Sequence, residues 1–104
     1  MESIKNEDEF INSVLKSSRT ALVLFYMPFI GESTYAIKTI KKYIEENGFN
    51  GKCFVLDINK FKNLADEYMI YFIPSLFIFK NGELIFRIEG LITEKILKSV
   101  LEGI

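Results

Sequence analysis

The chain has no histidine and no tryptophan, a single cysteine and only two prolines in 104 residues. Each shortage excludes something. One thiol, Cys53, cannot close an internal disulfide, and without histidine the usual Cys/His zinc site cannot be assembled. Neither a metal nor a cofactor is expected. No excess of one charge is present: 13 basic and 14 acidic residues leave a formal charge of −1. That balance gives no general attraction to phosphate backbones or anionic lipid, so nucleic acid and membrane surfaces are not expected as partners. The longest apolar run, Ala21 to Ile30, is half as long as a membrane-spanning helix, which needs about 20 residues. The opening, Met1-Glu2-Ser3-Ile4-Lys5-Asn6-Glu7-Asp8-Glu9, lacks the basic-then-apolar order of a signal peptide. Together with the lone thiol this predicts a reducing, cytoplasmic setting.

What is present is core material. Hydrophobic residues make up 49% of the chain, with ten Phe and five Tyr, enough for one domain over residues 1–104. Phe10, Ile11, Val14 and Leu15 form one helical stripe within Asn6–Ser17, with Asn6 or Asp8 as cap. Ala21–Tyr26 is apolar on both faces, the pattern of a central strand covered by helices. A second helix over Ser33–Asn47 turns Ala36, Ile37, Ile40 and Ile44 inward and stops at Gly48. Lys52–Ile58 is a second apolar strand, after which Asn59 is placed to cap a short helix carrying Phe61, Leu64, Ala65 and Tyr68. Ser75–Phe79 and Glu83–Ile88 flank Lys80-Asn81-Gly82, and Asn-Gly between apolar runs predicts a tight hairpin. Thr93 caps a last helix that buries Ile96, Leu97, Val100 and Leu101. With a weak first strand near Ser3–Lys5, the order is βαβαβαββα. This predicts an α/β fold with a mixed central sheet of four to five strands: a parallel core, an antiparallel C-terminal hairpin and helices on both faces.

Two segments carry a resemblance. Val23-Leu24-Phe25-Tyr26-Met27-Pro28-Phe29-Ile30-Gly31-Glu32-Ser33-Thr34 resembles the strand-to-helix corner of the thioredoxin family, where Trp-Cys-Gly-Pro-Cys-Lys opens the helix. Tyr68 to Glu83, through Ile73-Pro74-Ser75 and Lys80-Asn81-Gly82-Glu83, is similar to that family's Ile-Pro-Thr loop, strand and hairpin. Gly90 falls where the family has a glycine after the last strand, and the landmarks align without a gap from Gly31 to Gly90. The resemblance covers nearly the whole chain and implies a thioredoxin-like fold with a cis peptide bond before Pro74.

For chemistry the departures matter most. The family's two redox cysteines match Ile30 and Ser33. A disulfide reductase needs an attacking thiolate and a resolving thiol; a hydrocarbon and a hydroxyl provide neither. The family's buried Asp, associated with proton transfer, matches Leu24, and its neighbouring Lys matches Val55. Losing one ion of a buried pair is costly, whereas exchanging both for apolar groups is tolerated. The Pro between the cysteines is Glu32 and the helix-kinking Pro is Lys38, which predicts a straighter helix. The resemblance therefore implies no catalytic residue, only the family's place in cell redox homeostasis by descent.

What remains is a binding surface. By the resemblance Phe29, Ile30, Gly31 and Glu32, with Tyr71, Phe72, Ile73, Pro74 and Leu91, surround the former active site. Apolar side chains on these loops either form a patch of a few hundred Å², roughly the size that marks an interaction site, or pack together and plug the groove. Both readings stand at this point. The residue before the cis-proline offers its backbone to an extended peptide in this family, a strand addition that needs no cysteine. The expected partner is a protein, a peptide or a second copy forming a homodimer. The alternative is a thiol-disulfide oxidoreductase or glutathione-dependent enzyme working without the usual pair, through Cys53 or a hydroxyl of Ser33 or Thr34. Helix capping by Glu32, Ser33 and Thr34, and an inert core thiol at Cys53, are the simpler assignments. Restoring both thiols with Ile30→Cys and Ser33→Cys is expected to yield an intramolecular disulfide that still reduces substrates poorly, because Leu24 and Val55 relay no proton. Reduction rates equal to those of an ordinary thioredoxin would refute the relay argument.

Overall fold

The computed structural model describes every residue from Met1 to Ile104. Strand β2 (Ala21–Tyr26) lies at the centre of a five-stranded sheet ordered β1-β3-β2-β4-β5. Its side chains alternate between two layers. Ala21, Val23 and Phe25 join one core cluster and Leu22 and Leu24 the other, all five essentially inaccessible to solvent. A strand buried on both faces must be apolar at every position, which is why its sequence shows no alternation.

On its sides β2 pairs parallel with β3 (Lys52–Asp57) and antiparallel with β4 (Ser75–Lys80). β1 (Glu2–Ser3) adds a short parallel edge to β3, and β5 (Glu83–Glu89) forms the other edge against β4. One layer of helices comprises α1 (Glu7–Phe10, continued as a π-helical turn Ile11–Leu15) and α3 (Lys62–Glu67). The other comprises α2 (Gly31–Asn47) and α4 (Glu94–Leu101). Phe10, Val14, Phe61 and Leu64 cover the first face of the sheet, while Ala36, Ile40, Tyr43 and Leu97 cover the second.

The local signals behave as their chemistry dictates. The Asn6 side chain accepts the Glu9 N–H at 2.8 Å and Thr93 Oγ1 accepts the Ile96 N–H at 3.2 Å, so both residues cap their helices. The hairpin turns on Asn81 and Gly82, both left-handed (φ 53° and 78°), with Lys80 opposite Glu83. Gly82 is needed twice over, since a Cβ there would collide with the Leu15 carbonyl oxygen at the end of α1.

The first strand is Glu2–Ser3 rather than Ser3–Lys5, and two further details depart from the sequence expectation. Asp57, not Asn59, makes the cap after β3: its carboxylate accepts the Asn59 N–H at 3.0 Å and starts a single 3₁₀ turn, Ile58–Lys60, before α3. The second helix begins at Gly31, two residues earlier than the periodicity indicated, because neither Gly31 nor Glu32 contributes to the apolar stripe. It then runs unbroken for 17 residues.

Leu24 and Val55 are register partners across β2 and β3, both buried beneath α2. A lone ion introduced there has no neighbour to neutralise it. Leu24→Asp is expected to cost about 3–5 kcal/mol at neutral pH and less in acid, where the carboxyl protonates; adding Val55→Lys should return part of the loss. Urea unfolding of the three proteins checks this, and an unchanged midpoint for Leu24→Asp would contradict it.

Candidate functional site

At the C-terminal end of β2 the chain turns sharply through Met27-Pro28-Phe29. Phe29 takes a left-handed backbone conformation (φ 67°) that directs its ring wholly into solvent. Ile30 follows as the N-cap of α2, with extended dihedrals and no side-chain hydrogen bond to the helix. Its carbonyl receives the Ser33 and Thr34 N–H groups, both at 3.1 Å, and the Thr34 hydroxyl. Ser33 does not cap the helix, contrary to the sequence expectation. It is buried in the first turn, and its hydroxyl accepts the Met27 N–H at 3.1 Å. That bond closes the corner by tying its first residue to the helix.

The second wall is the Tyr71–Pro74 loop. Because Phe25 and Ser75 are register partners in the antiparallel β2–β4 pair, Pro74 lies beside the end of β2. The Ile73–Pro74 bond is cis. The Pro74 carbonyl accepts the Gly90 N–H at 2.8 Å, which draws in the third wall, Gly90-Leu91, and the Ser75 hydroxyl donates to the Phe72 carbonyl. Neither the N–H nor the C=O of Ile73 has a hydrogen-bond partner within the chain.

The structure thus brings Phe29, Ile30, Gly31, Glu32, Tyr71, Phe72, Pro74 and Leu91 to one end of the sheet. Their rings and aliphatic chains do not seal the groove by packing on one another. Tyr71 is 79% exposed, Phe72 and Leu91 59% each, and Ile30 37%. Ile73 differs from the expectation for the set: its side chain is half-buried against the α1/α3 core, so only its backbone faces outward. Pro74 is buried.

Residues that sequence reasoning passed over complete the site. Tyr35, half-exposed one turn into α2, joins Gly31, Glu32 and Leu91 around a shallow depression of about 350 Å³. Its spacing of three from Glu32 was the available signal. Arg87, on β5, donates to the Tyr68 carbonyl at 2.7 Å and the Met69 carbonyl at 3.3 Å. Its guanidinium also lies 4.5 Å from the centre of the Phe77 ring and 2.7 Å from Glu89. It anchors the end of α3, where Met69 is left-handed (φ 51°) and the Met69 and Ile70 N–H groups close back onto Asp66 and Ala65. No short-range sequence pattern announces a contact over 18 or 19 residues.

Cys53 lies elsewhere. It is the register partner of Leu22, about 13 Å along the sheet from the end of β2. Burial pushes its thiol up to about 11, the opposite of an activated nucleophile. No cluster of acidic, His or Cys residues arranged to hold a metal is present.

A mixed open sheet of this order, a cis-proline loop and a helix N-terminus meeting at the end of its central strand define a thioredoxin-fold domain. The thioredoxin family model matches residues 2–102, and the chain belongs to the thioredoxin family. It is 31% identical over 97 residues to the M-type chloroplastic thioredoxin of Chlamydomonas reinhardtii, an alignment covering 93% of this chain and 69% of that protein. It is 32% identical over 75 residues to the chloroplastic thioredoxin Y of rice (Oryza sativa subsp. japonica), with 72% of this chain and 45% of that protein covered. Thioredoxin 1 of the cyanobacterium Nostoc sp. PCC 7120 is 29% identical over 98 residues, covering 92% of this chain and 90% of that protein. The chain thus spans about half the length of some chloroplastic relatives and nearly all of the cyanobacterial one. Within the family it carries one cysteine, so the paired active-site thiols are absent.

With the thiol pushed from 9.0 to about 11, alkylation of Cys53 by iodoacetamide at pH 7.5 should be about a hundredfold slower than for an unburied cysteine. The rate should keep rising with pH towards 11. A plateau near pH 8 would contradict the assignment.

Proposed function

We propose that this domain is a redox-inactive thioredoxin-like module that captures a protein, a peptide or a second copy of itself at the face formed by Phe29, Ile30, Tyr71, Phe72 and Leu91. The observation that carries the reading is the unpaired backbone of Ile73 beside exposed apolar side chains on three converging loops. An extended segment laid along Ile73 would pair with that N–H and C=O as an added strand, and its side chains would rest on Phe29, Tyr71 and Phe72.

Loss of exchange chemistry follows from the same corner. Attack on a disulfide needs a thiolate at the helix N-terminus, where the macrodipole favours negative charge. Ile30 occupies that position, and Ser33 is engaged by the Met27 N–H. Cys53 is remote from the corner and held protonated by burial. The proposed location is a reducing cytoplasm, where a single half-buried thiol stays reduced; no helix is long and apolar enough to cross a membrane.

Two measurements test the reading. Reduction of a protein disulfide by dithiothreitol should proceed no faster with the domain than without it. Turnover abolished by Cys53→Ala would establish a thiol enzyme instead, and turnover dependent on added glutathione would establish a glutathione-dependent one. Phe72→Asp should weaken capture of a partner, or self-association, about tenfold or more while leaving thermal unfolding unchanged, since the side chain is exposed. Pull-down and sedimentation profiles identical to those of the unaltered chain would defeat the binding proposal.

A further inference from the structure

We infer that the segment captured at this face is basic: an extended peptide that places a lysine or arginine among apolar side chains. The inference rests on the binding reading above and adds the chemistry of the partner. The three stretches that build the face, residues 27–35, 69–74 and 89–92, contain the carboxylates of Glu32 and Glu89 and neither lysine nor arginine. All 13 basic residues lie elsewhere. Glu89 is already neutralised by Arg87 at 2.7 Å. Glu32 is in no ion pair: the three in the chain are Lys42 with Glu46, Lys42 with Glu94, and Arg87 with Glu89.

The surroundings of Glu32 suit a cation on a long apolar stem. Glu32, Gly31, Tyr35 and Leu91 line the depression of about 350 Å³, which has room for one such side chain. A lysine or arginine laid there would rest its methylenes on Leu91 and bring its charge to the Glu32 carboxylate. The half-exposed ring of Tyr35, which lines the same depression, would offer it a face. The rest of the segment would continue over Ile73 and Pro74.

An acidic segment would meet Glu32 among three stretches that contain no lysine or arginine. A second copy of this chain meets the same difficulty, because the same face of the partner copy brings no lysine or arginine from these three stretches to pair with Glu32. Self-association is therefore an outcome of the test rather than the inference.

The probes are two degenerate pools of fluorescein-labelled peptides. Both alternate apolar positions (Leu, Val, Phe, Tyr) with charged ones, Lys or Arg in one pool and Asp or Glu in the other. Fluorescence anisotropy should show the basic pool binding about tenfold more tightly at low ionic strength, with the preference shrinking in about 0.5 M salt. Glu32→Gln should weaken the basic pool about fivefold, the range of a partly exposed ion pair with a cation–π contact, and Glu32→Lys should reverse the preference. Equal affinity for both pools, or a basic preference untouched by either Glu32 variant, overturns the inference and leaves the binding reading standing. If neither pool binds and Phe72 substitutions abolish a sedimenting dimer, the second copy is the occupant and the inference fails. Failure of both pools with a monomeric chain overturns the inference and the binding reading together.

Discussion

The antiparallel pairing of β2 with β4 is the constraint on which the site depends. Placing Ser75 opposite Phe25 puts the Ile73–Pro74 loop beside the corner that opens α2, although about 40 residues of chain separate them. Most of the candidate face sits on loops held by that junction. The strands that hold it are secured independently, by two core layers that bury Ala21 to Phe25 of β2 on both faces. A scaffold of this kind tolerates change at the exposed positions of its loops, because most of the packing that stabilises it lies between strands and helices, with Ile73, Pro74 and Ile92 the loop residues drawn into it.

The chain has the family's fold without its pair of active-site thiols. Ser33 shows how the two separate. Its hydroxyl accepts the Met27 N–H and so helps to hold the turn, but an oxygen nucleophile does not exchange with disulfides. Leu24 and Val55 show the same separation deeper in the sheet, where two hydrocarbons facing each other across the strands need no counterion and pack under α2. The cis bond at Pro74 and the unpaired backbone of Ile73 remain. Those are the features a bound strand would use, and neither requires sulfur.

Most of the fold was legible in the sequence because its signals are local. A doubly buried strand reads as an unbroken apolar run, Asn81-Gly82 marks the hairpin, and Asn6 and Thr93 announce the two helix starts they cap. What escaped was non-local or lay where apolar periodicity is silent. The start of α2 at Gly31 carries no apolar repeat, and Asp57 took the capping position from Asn59 because the strand ended one residue early. Of the candidate face, the member loops were visible only through the family resemblance. Ile73 reads as an exposed loop residue in the sequence, and only the tertiary fold gives its side chain a place in the α1/α3 core. The anchoring of Met69 by Arg87, and the approach of Tyr35 to Leu91, depend on tertiary packing that no pattern within a segment encodes.

A corner stripped of thiols should still receive an extended chain through the backbone of Ile73. Amide hydrogen exchange resolved residue by residue, with and without a captured peptide, tests it most directly. Binding should slow exchange at Ile73 and at its neighbours in residues 27–35 and 89–92, while the amides around Cys53 are unaffected. Protection centred on another surface, with Ile73 exchanging as freely as before, would contradict it.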